Sequence, residues 1–301
     1  MKLDLESVRK TGNIEFIAKQ TVEGFISGLH SSPYHGFSVE FAEHRIYNNG
    51  ESTRHIDWKV YAKTDKLFTK RYEEETNLRC QILIDVSNSM CYPKDSNGKV
   101  VFSACAAASL AYLLQKQKDA VGIATFAEHI EYQSAIKSTS SHLHTLFNQL
   151  NNVLLTEIRE GKSGVAQALN TIAQTMSRRS LIIIFSDMFD NVDDLEKMFS
   201  ALQHLKHNKH EVLLFHVHDS KTETAFEFED RPYEFVDIET HERVKLHPSQ
   251  VKDYYKKEIE NYFLALKMRC GQYKIDFIAA DINENIEQVI SAYLIKRNKM
   301  K

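Results

Sequence analysis

The chain is poor in the residues that punctuate a backbone, with four prolines and ten glycines among 301 residues. Few positions are therefore preset for tight turns or positive φ, which excludes a sandwich of many short hairpins and leaves helices and buried strands to dominate. Cysteine is also scarce. Cys80, Cys91, Cys105 and Cys270 form no CxxC pair, as expected of free thiols in a reducing compartment. Net charge is nearly absent at −3, so no global field attracts phosphate backbones or anionic lipid, and neither nucleic acid nor a membrane is an expected partner. The longest uncharged stretch, Val100 to Gln115, is too short and too rich in small polar residues for a span of roughly 20 residues. The opening MKLDLESVRK alternates charged and apolar residues and has no signal-type core. A cytoplasmic location is the expectation.

What is present is a hydrophobic share of 43% beside 26% charged residues, enough for one large core or two modest ones. From about residue 79 a short apolar run, a turn and a helical stretch recur, the pattern of a mostly parallel sheet with helices on both faces. Strands are predicted at Cys80–Val86, Val121–Phe126, Leu181–Phe185, Val212–Val217 and Tyr273–Ile278, with His129–Gln133 pairing as a hairpin. Helices are predicted at 99–118, 142–150, 164–176, 193–207, 249–270 and 284–296. Leu181–Phe185 reads as the central strand, because an uninterrupted apolar, mostly β-branched run has two faces to bury. Two segments break the rhythm. Residues 34 to 76 carry the alternating runs Phe37–Phe41 and Lys66–Tyr72, which reads as a β-rich N-terminal extension, and 225 to 247 reads as a small hairpin insertion. The division expected is 1–76 for the extension and 77–301 for the α/β body.

The strongest chemical signal is Asp85-Val86-Ser87-Asn88-Ser89-Met90, directly after a buried parallel strand. Ligands of open α/β sheets collect outside the carboxyl ends of strands. A carboxylate and two hydroxyls at alternate positions present three hard oxygens there, suited to Mg²⁺; the alternative is an Asp and Ser set capping the next helix. Asp187 follows the central strand, and Ser163 precedes a helix expected to begin at the same rim. This set, Asp-x-Ser-x-Ser, then a hydroxyl, then a later Asp, resembles the metal-ion-dependent adhesion site (MIDAS) of von Willebrand factor A domains. The resemblance implies a von Willebrand factor A-like (Rossmann-like) α/β fold. It also implies that Asp85, Ser87, Ser89, Ser163 and Asp187 hold Mg²⁺ or Mn²⁺, with an acidic side chain of a partner completing the coordination. Ser163 stands where Thr is more usual, and Met188 where many relatives have Gly.

A second block, Arg45-Ile-Tyr47-Asn-Asn-Gly50-Glu51-Ser-Thr-Arg54-His-Ile56-Asp57-Trp58-Lys59, resembles the bacterial domain of unknown function family 58, whose core reads R-x-Y-x-x-G-D-x-x-R-x-I-D-W; Glu51 replaces the common Asp. His216-Val-His218-Asp219 and Asp237-Ile-Glu239 match further landmarks of that family. Its proteins are often encoded beside MoxR-type AAA+ ATPases, which implies such an ATPase, or its client, as partner in assembly or chaperone-like work. For Arg45, Tyr47, Arg54, Asp57, Trp58 and Lys59, one reading is a salt-bridge and aromatic lock with Trp58 as the apolar anchor; the other is a partner-binding surface. No nucleophile accompanies Asp57, so catalysis is not expected of it.

Other signals point elsewhere. Gly161-Lys162-Ser163 lacks the upstream Gly of a phosphate-binding loop, since Thr156 stands there. His204, His207 and His210 fall where a helix ends, which suits a solvated terminus complementing the helix dipole. His216 and His218 are expected to pack in the core or at the rim. Cys91 has no basic surroundings in the sequence to activate it. The function implied is a non-enzymatic, cation-dependent interaction module. The alternatives are a metal-dependent hydrolase using Asp85 and Asp187, and a metal-free scaffold.

Overall fold

The computed structural model describes residues 13–30, 44–46, 58–70, 78–93, 98–155, 164–177, 179–188, 192–237 and 242–300. The chain divides into two units, Met1–Phe25 with Leu78–Lys301, and Ile26–Asn77. The larger is built on six strands: β3 (Arg79–Asp85), β4 (Ala120–Phe126), β5 (Ile130–Gln133), β6 (Leu181–Ser186), β7 (Glu211–His218) and β10 (Asp276–Asp281). Their order is β10-β7-β6-β3-β4-β5, with every pairing parallel except β4 with β5. All six residues of β6 are buried, as an apolar run with two covered faces requires.

Helices cover both faces. On one, α3 (Gly98–Lys116) packs against β3 and β4, and Gly98 through Leu114 are all buried. Its length and apolarity are those of a membrane span, yet 94% of that window is buried inside the protein. On the other face, α5 (Val165–Thr175), α6 (Val192–His207) and α7 (Pro248–Gln272) contribute Leu169, Ile172, Leu202, Leu205 and Leu266 to a core shared with Leu83, Ile182, Ile184 and Leu214. The alternating parity of those strand residues is the two-residue repeat of a pleated sheet. Helices α4 (Ser140–Leu155) and α8 (Glu287–Met300) both pack against α3. The expected insertion forms as the antiparallel pair β8 (Tyr233–Val236) and β9 (Arg243–Leu246), with Phe226, Phe228, Tyr233, Phe235 and Tyr255 in mutual ring contact around it.

Several expectations need correction. The last strand begins three residues later than predicted, because α7 runs to Gln272 and the chain turns through Lys274 at φ 56°. A helix not foreseen, α1 (Ile14–His30), buries Ile14, Ala18 and Val22, one stripe at a spacing of four. In the unit Ile26–Asn77 the described residues are not β-rich. The strands β1 (His44–Ile46) and β2 (Phe68–Lys70) are three residues each and pair antiparallel, while α2 (Trp58–Thr64) takes seven. The run Phe37–Phe41 lies outside the described residues.

One glycine matters to the rim of the sheet. Gly164, just before α5, donates its N–H to the Ala127 carbonyl at 2.9 Å, and a Cβ there would run into the Glu128 carbonyl. Since that obstacle is backbone, Gly164→Ala is expected to cost about 1–3 kcal/mol in urea denaturation. Unchanged stability would show that the start of α5 is not held against the end of β4.

Candidate functional site

The chain leaves β3 toward β4 on one side, whereas β6 leads to β7 on the other. The connections therefore diverge between β3 and β6, and in an open α/β sheet that divergence opens a crevice at the carboxyl ends of the strands. Asp85 ends β3, and Asp187 follows Ser186 at the end of β6. Both are fully buried.

Local hydrogen bonds fix each group. Asp85 Oδ1 accepts from the Ser87 N–H at 2.9 Å, and Asp85 Oδ2 from the Ser186 hydroxyl at 2.7 Å. The Ser87 and Ser89 hydroxyl oxygens lie 3.1 Å apart, and Ser89 opens a single 3₁₀ turn, Ser89–Cys91. Met188, where relatives often have Gly, takes a left-handed conformation at φ 53°. For a residue with a Cβ that costs roughly 1–2 kcal/mol. Full burial of its side chain offsets the cost, together with hydrogen bonds from its N–H to Ser186 Oγ at 3.0 Å and from the Tyr262 hydroxyl to its carbonyl.

A cation of the chain's own is seated here. Lys99, in the first turn of α3, donates from Nζ to Asp187 Oδ2 at 2.8 Å and to Glu223 Oε1 at 2.6 Å. The Lys99 and Asp187 side chains are each 1% exposed and Glu223 is 15% exposed. Glu223 is positioned by the π turn Ser220–Thr224 after β7, where its Oε2 accepts the Asp219 N–H at 2.7 Å and its carbonyl accepts from Tyr255. A positive side chain at a helix N-terminus opposes the helix dipole, so the two carboxylates must compensate for both dipole and burial. Lys99 was not identified from the sequence, although its signal was there: one charged residue opening an otherwise small and apolar helix.

The electrostatics follow from burial. Asp85 is held well above the ordinary carboxylate range, first by desolvation and then by the negative charge of Asp187; hydrogen bonds from Ser87 and Ser186 act in the opposite direction. Glu223 is also raised by burial, against the pull of Lys99. His216, buried between Phe263 and Phe277, is pushed down to about 3 by burial and by His218, and is neutral at physiological pH. The packing role expected for this pair matches their surroundings. By contrast, His210 is not at a solvated terminus. It is fully buried, with Nδ1 accepting the Ser180 N–H at 3.3 Å.

Of the five expected cation ligands, the structure brings Asp85, Ser87, Ser89 and Asp187 to one rim, and Ser163 lies outside the described residues. In the second block, Tyr47, Arg54 and Asp57 also lie outside them, Arg45 sits in β1 opposite Thr69, and Lys59 lies in α2. Trp58 is 60% exposed and meets Tyr61 edge-on at 6.1 Å, so it is not the buried anchor the lock required.

The oxygens present suit a hard divalent ion: two buried carboxylates and two hydroxyls, with the remaining positions open to water. Among the described residues no group of three His, Cys, Asp or Glu side chains suits a metal, so any ion here depends on the hydroxyls. Asp85, Asp187, Glu223 and Lys99 together bring three carboxylates and one ammonium, an excess of two negative charges when all are ionised. One divalent ion would balance it.

The fold and rim define an α/β domain with an acidic, hydroxyl-lined crevice at its switch point. The chain matches the family described as "Protein of unknown function DUF58" over residues 43–262 and belongs to it. It is 22% identical over 209 residues to uncharacterized proteins of Mycobacterium bovis and Mycobacterium tuberculosis, an alignment covering 69% of this chain and 64% of theirs. The chain thus spans less than two thirds of the curated relatives it matches. Among solved structures it is similar to a conserved hypothetical protein BatB from Bacteroides thetaiotaomicron (14% identity, 74% of this chain and 100% of that one, TM-score 0.45). It is also similar to an aerotolerance-related membrane protein from Bacteroides fragilis (16% identity, 74% and 99%, TM-score 0.49).

Because ionising Asp85 is opposed in the folded state, its contribution to stability is greatest at low pH and is lost as pH rises from the ordinary carboxylate range through its raised value. Asp85→Asn, nearly isosteric, is expected to raise the thermal midpoint in chelator by a few degrees at pH 8 and by less at pH 5. A loss of stability at pH 8 would show that the charge of Asp85 is needed to hold the rim together without metal.

Proposed function

We propose that this chain is a von Willebrand factor A-like, non-enzymatic interaction module whose crevice holds Mg²⁺ or Mn²⁺ through Asp85, Ser87, Ser89, Ser163 and Asp187. The ion supplies a Lewis-acidic position to which an acidic side chain of a protein partner binds. The single observation that carries the reading is the burial of two carboxylates at the divergence between β3 and β6, beside paired serine hydroxyls. Two buried acids that repel each other are costly for a structural purpose alone, and a bound cation would repay that cost.

Each residue has a defined part. Asp85, oriented by the Ser87 N–H and the Ser186 hydroxyl, would bear on the ion by charge. Ser87 and Ser89 would offer neutral oxygens, which leave the ion electrophilic enough to attract an incoming carboxylate. Asp187 would complete the acidic pair. The partner proposed is a MoxR-type AAA+ ATPase or its client, and the setting the cytoplasm. The family resemblance and the balanced charge support these choices.

The test is pull-down from bacterial extract with wild type and Asp85→Ala, with Mg²⁺ or EDTA, and mass spectrometry of the captured proteins. The expected result is an AAA+ ATPase or its client captured only by wild type and only with the cation. In parallel, Mg²⁺ at about a hundred times its Kd is expected to stabilise wild type by about 2.7 kcal/mol, and Asp85→Ala not at all. Capture that survives EDTA would overturn cation bridging, and phosphoester turnover lost in Asp85→Ala would turn the reading toward a hydrolase.

A further inference from the structure

The fifteen residues that follow Lys99 in α3 up to Leu114 include no charged side chain and are all buried, so apolar packing carries most of the attachment of that helix. The Lys99 ammonium nonetheless sits in the crevice at 1% exposure, between Asp187 at 2.8 Å and Glu223 at 2.6 Å, with the Tyr92 ring centroid 5.8 Å away. Glu223 is held from behind by the Asp219 N–H, and Asp219 is held in turn by Asn283, Thr222 and the Lys221 N–H. The ammonium is thus a tethered, oriented charge, and one of its two partners is also a proposed ligand of the divalent ion.

We infer that Lys99 is a built-in competitor for Asp187 that sets the cation affinity of the crevice, and that Glu223 moderates it by drawing part of the ammonium's charge away. The inference rests on the cation reading above but goes beyond it. Two positive ions sharing one carboxylate repel each other at short range in a site from which water is largely excluded, where such forces are weakly screened. Removing the tethered charge therefore strengthens divalent binding. Removing Glu223 leaves the ammonium to Asp187 alone and weakens it. A purely supporting role predicts the opposite for Lys99, since an Asp187 released from its hydrogen bond would be less well oriented.

The probe is Mn²⁺ alone, followed by electron paramagnetic resonance and calorimetry on the full chain, with circular dichroism confirming the fold of each variant. Lys99→Met is expected to bind Mn²⁺ about tenfold or more tightly than wild type, Glu223→Gln several-fold more weakly, and Lys99→Arg within a few-fold of wild type. If Lys99→Met does not fold, the double variant Lys99→Met with Glu223→Gln, in which both charges of the pair are gone, is compared with Glu223→Gln and is expected to bind more tightly. Wild-type binding with Lys99→Met equal or weaker overturns the inference and leaves the cation reading standing. Binding by Lys99→Met when wild type is silent supports the inference and overturns cation dependence in the native chain. Silence in both overturns both.

Discussion

The crevice depends on two carboxylates buried side by side where the sheet's connections part. Asp85 and Asp187 end neighbouring parallel strands, so the register that pairs Ile84 with Phe185 also brings the two acids together. Water cannot screen them at zero exposure, and the surrounding structure responds in three ways. Asp85 is held toward its protonated form, hydroxyls and N–H groups converge on it, and Lys99 is drawn down onto Asp187. The first and third responses reduce the repulsion itself, whereas the hydrogen bonds support the Asp85 charge against its burial.

That repulsion is tolerable because stability is built at the opposite edge. Near the start of β7 and β10, Lys296 of α8 donates to Glu211 at 2.6 Å and to Asp276 at 2.7 Å. One residue on, Arg297 bonds Asp119, just before β4, and the Tyr293 hydroxyl, while Asp119 also accepts the Leu78 N–H at 3.0 Å. The last helix thus clamps the amino ends of three strands with opposite charges in contact. At the carboxyl ends two buried carboxylates repel each other instead, with the Lys99 ammonium set between Asp187 and Glu223.

The sheet was legible in the sequence because burial on both faces leaves a plain mark. Leu181–Phe185 admits no polar residue, and β6 is the fully buried strand it implies. The acidic rim was legible for a related reason: a carboxylate directly after such a run has nowhere to go but the strand's carboxyl end. What escaped notice depended on partners distant in the chain. Lys99 lies 88 residues from Asp187 and 124 from Glu223, and no local period reports that meeting. Helix α1 was missed because Ile14, Ala18 and Val22 include a small residue that weakens an apolar stripe until tertiary packing supplies the rest. Trp58 misled because size and rarity suggested an anchor, whereas its ring stands in solvent.

Exposure of that ring changes what the second block can be. A tryptophan 60% exposed on a seven-residue helix, in edge contact with Tyr61, contributes little to holding its own unit together, because most of its apolar area stays wet. Large aromatic side chains left in solvent are characteristic of surfaces that bury them against a partner. Of the two roles open to the block, recognition therefore gains over the internal lock. On the proposed reading the protein would offer a partner two chemically distinct places, one aromatic and one acidic, and only the acidic one would respond to a divalent ion.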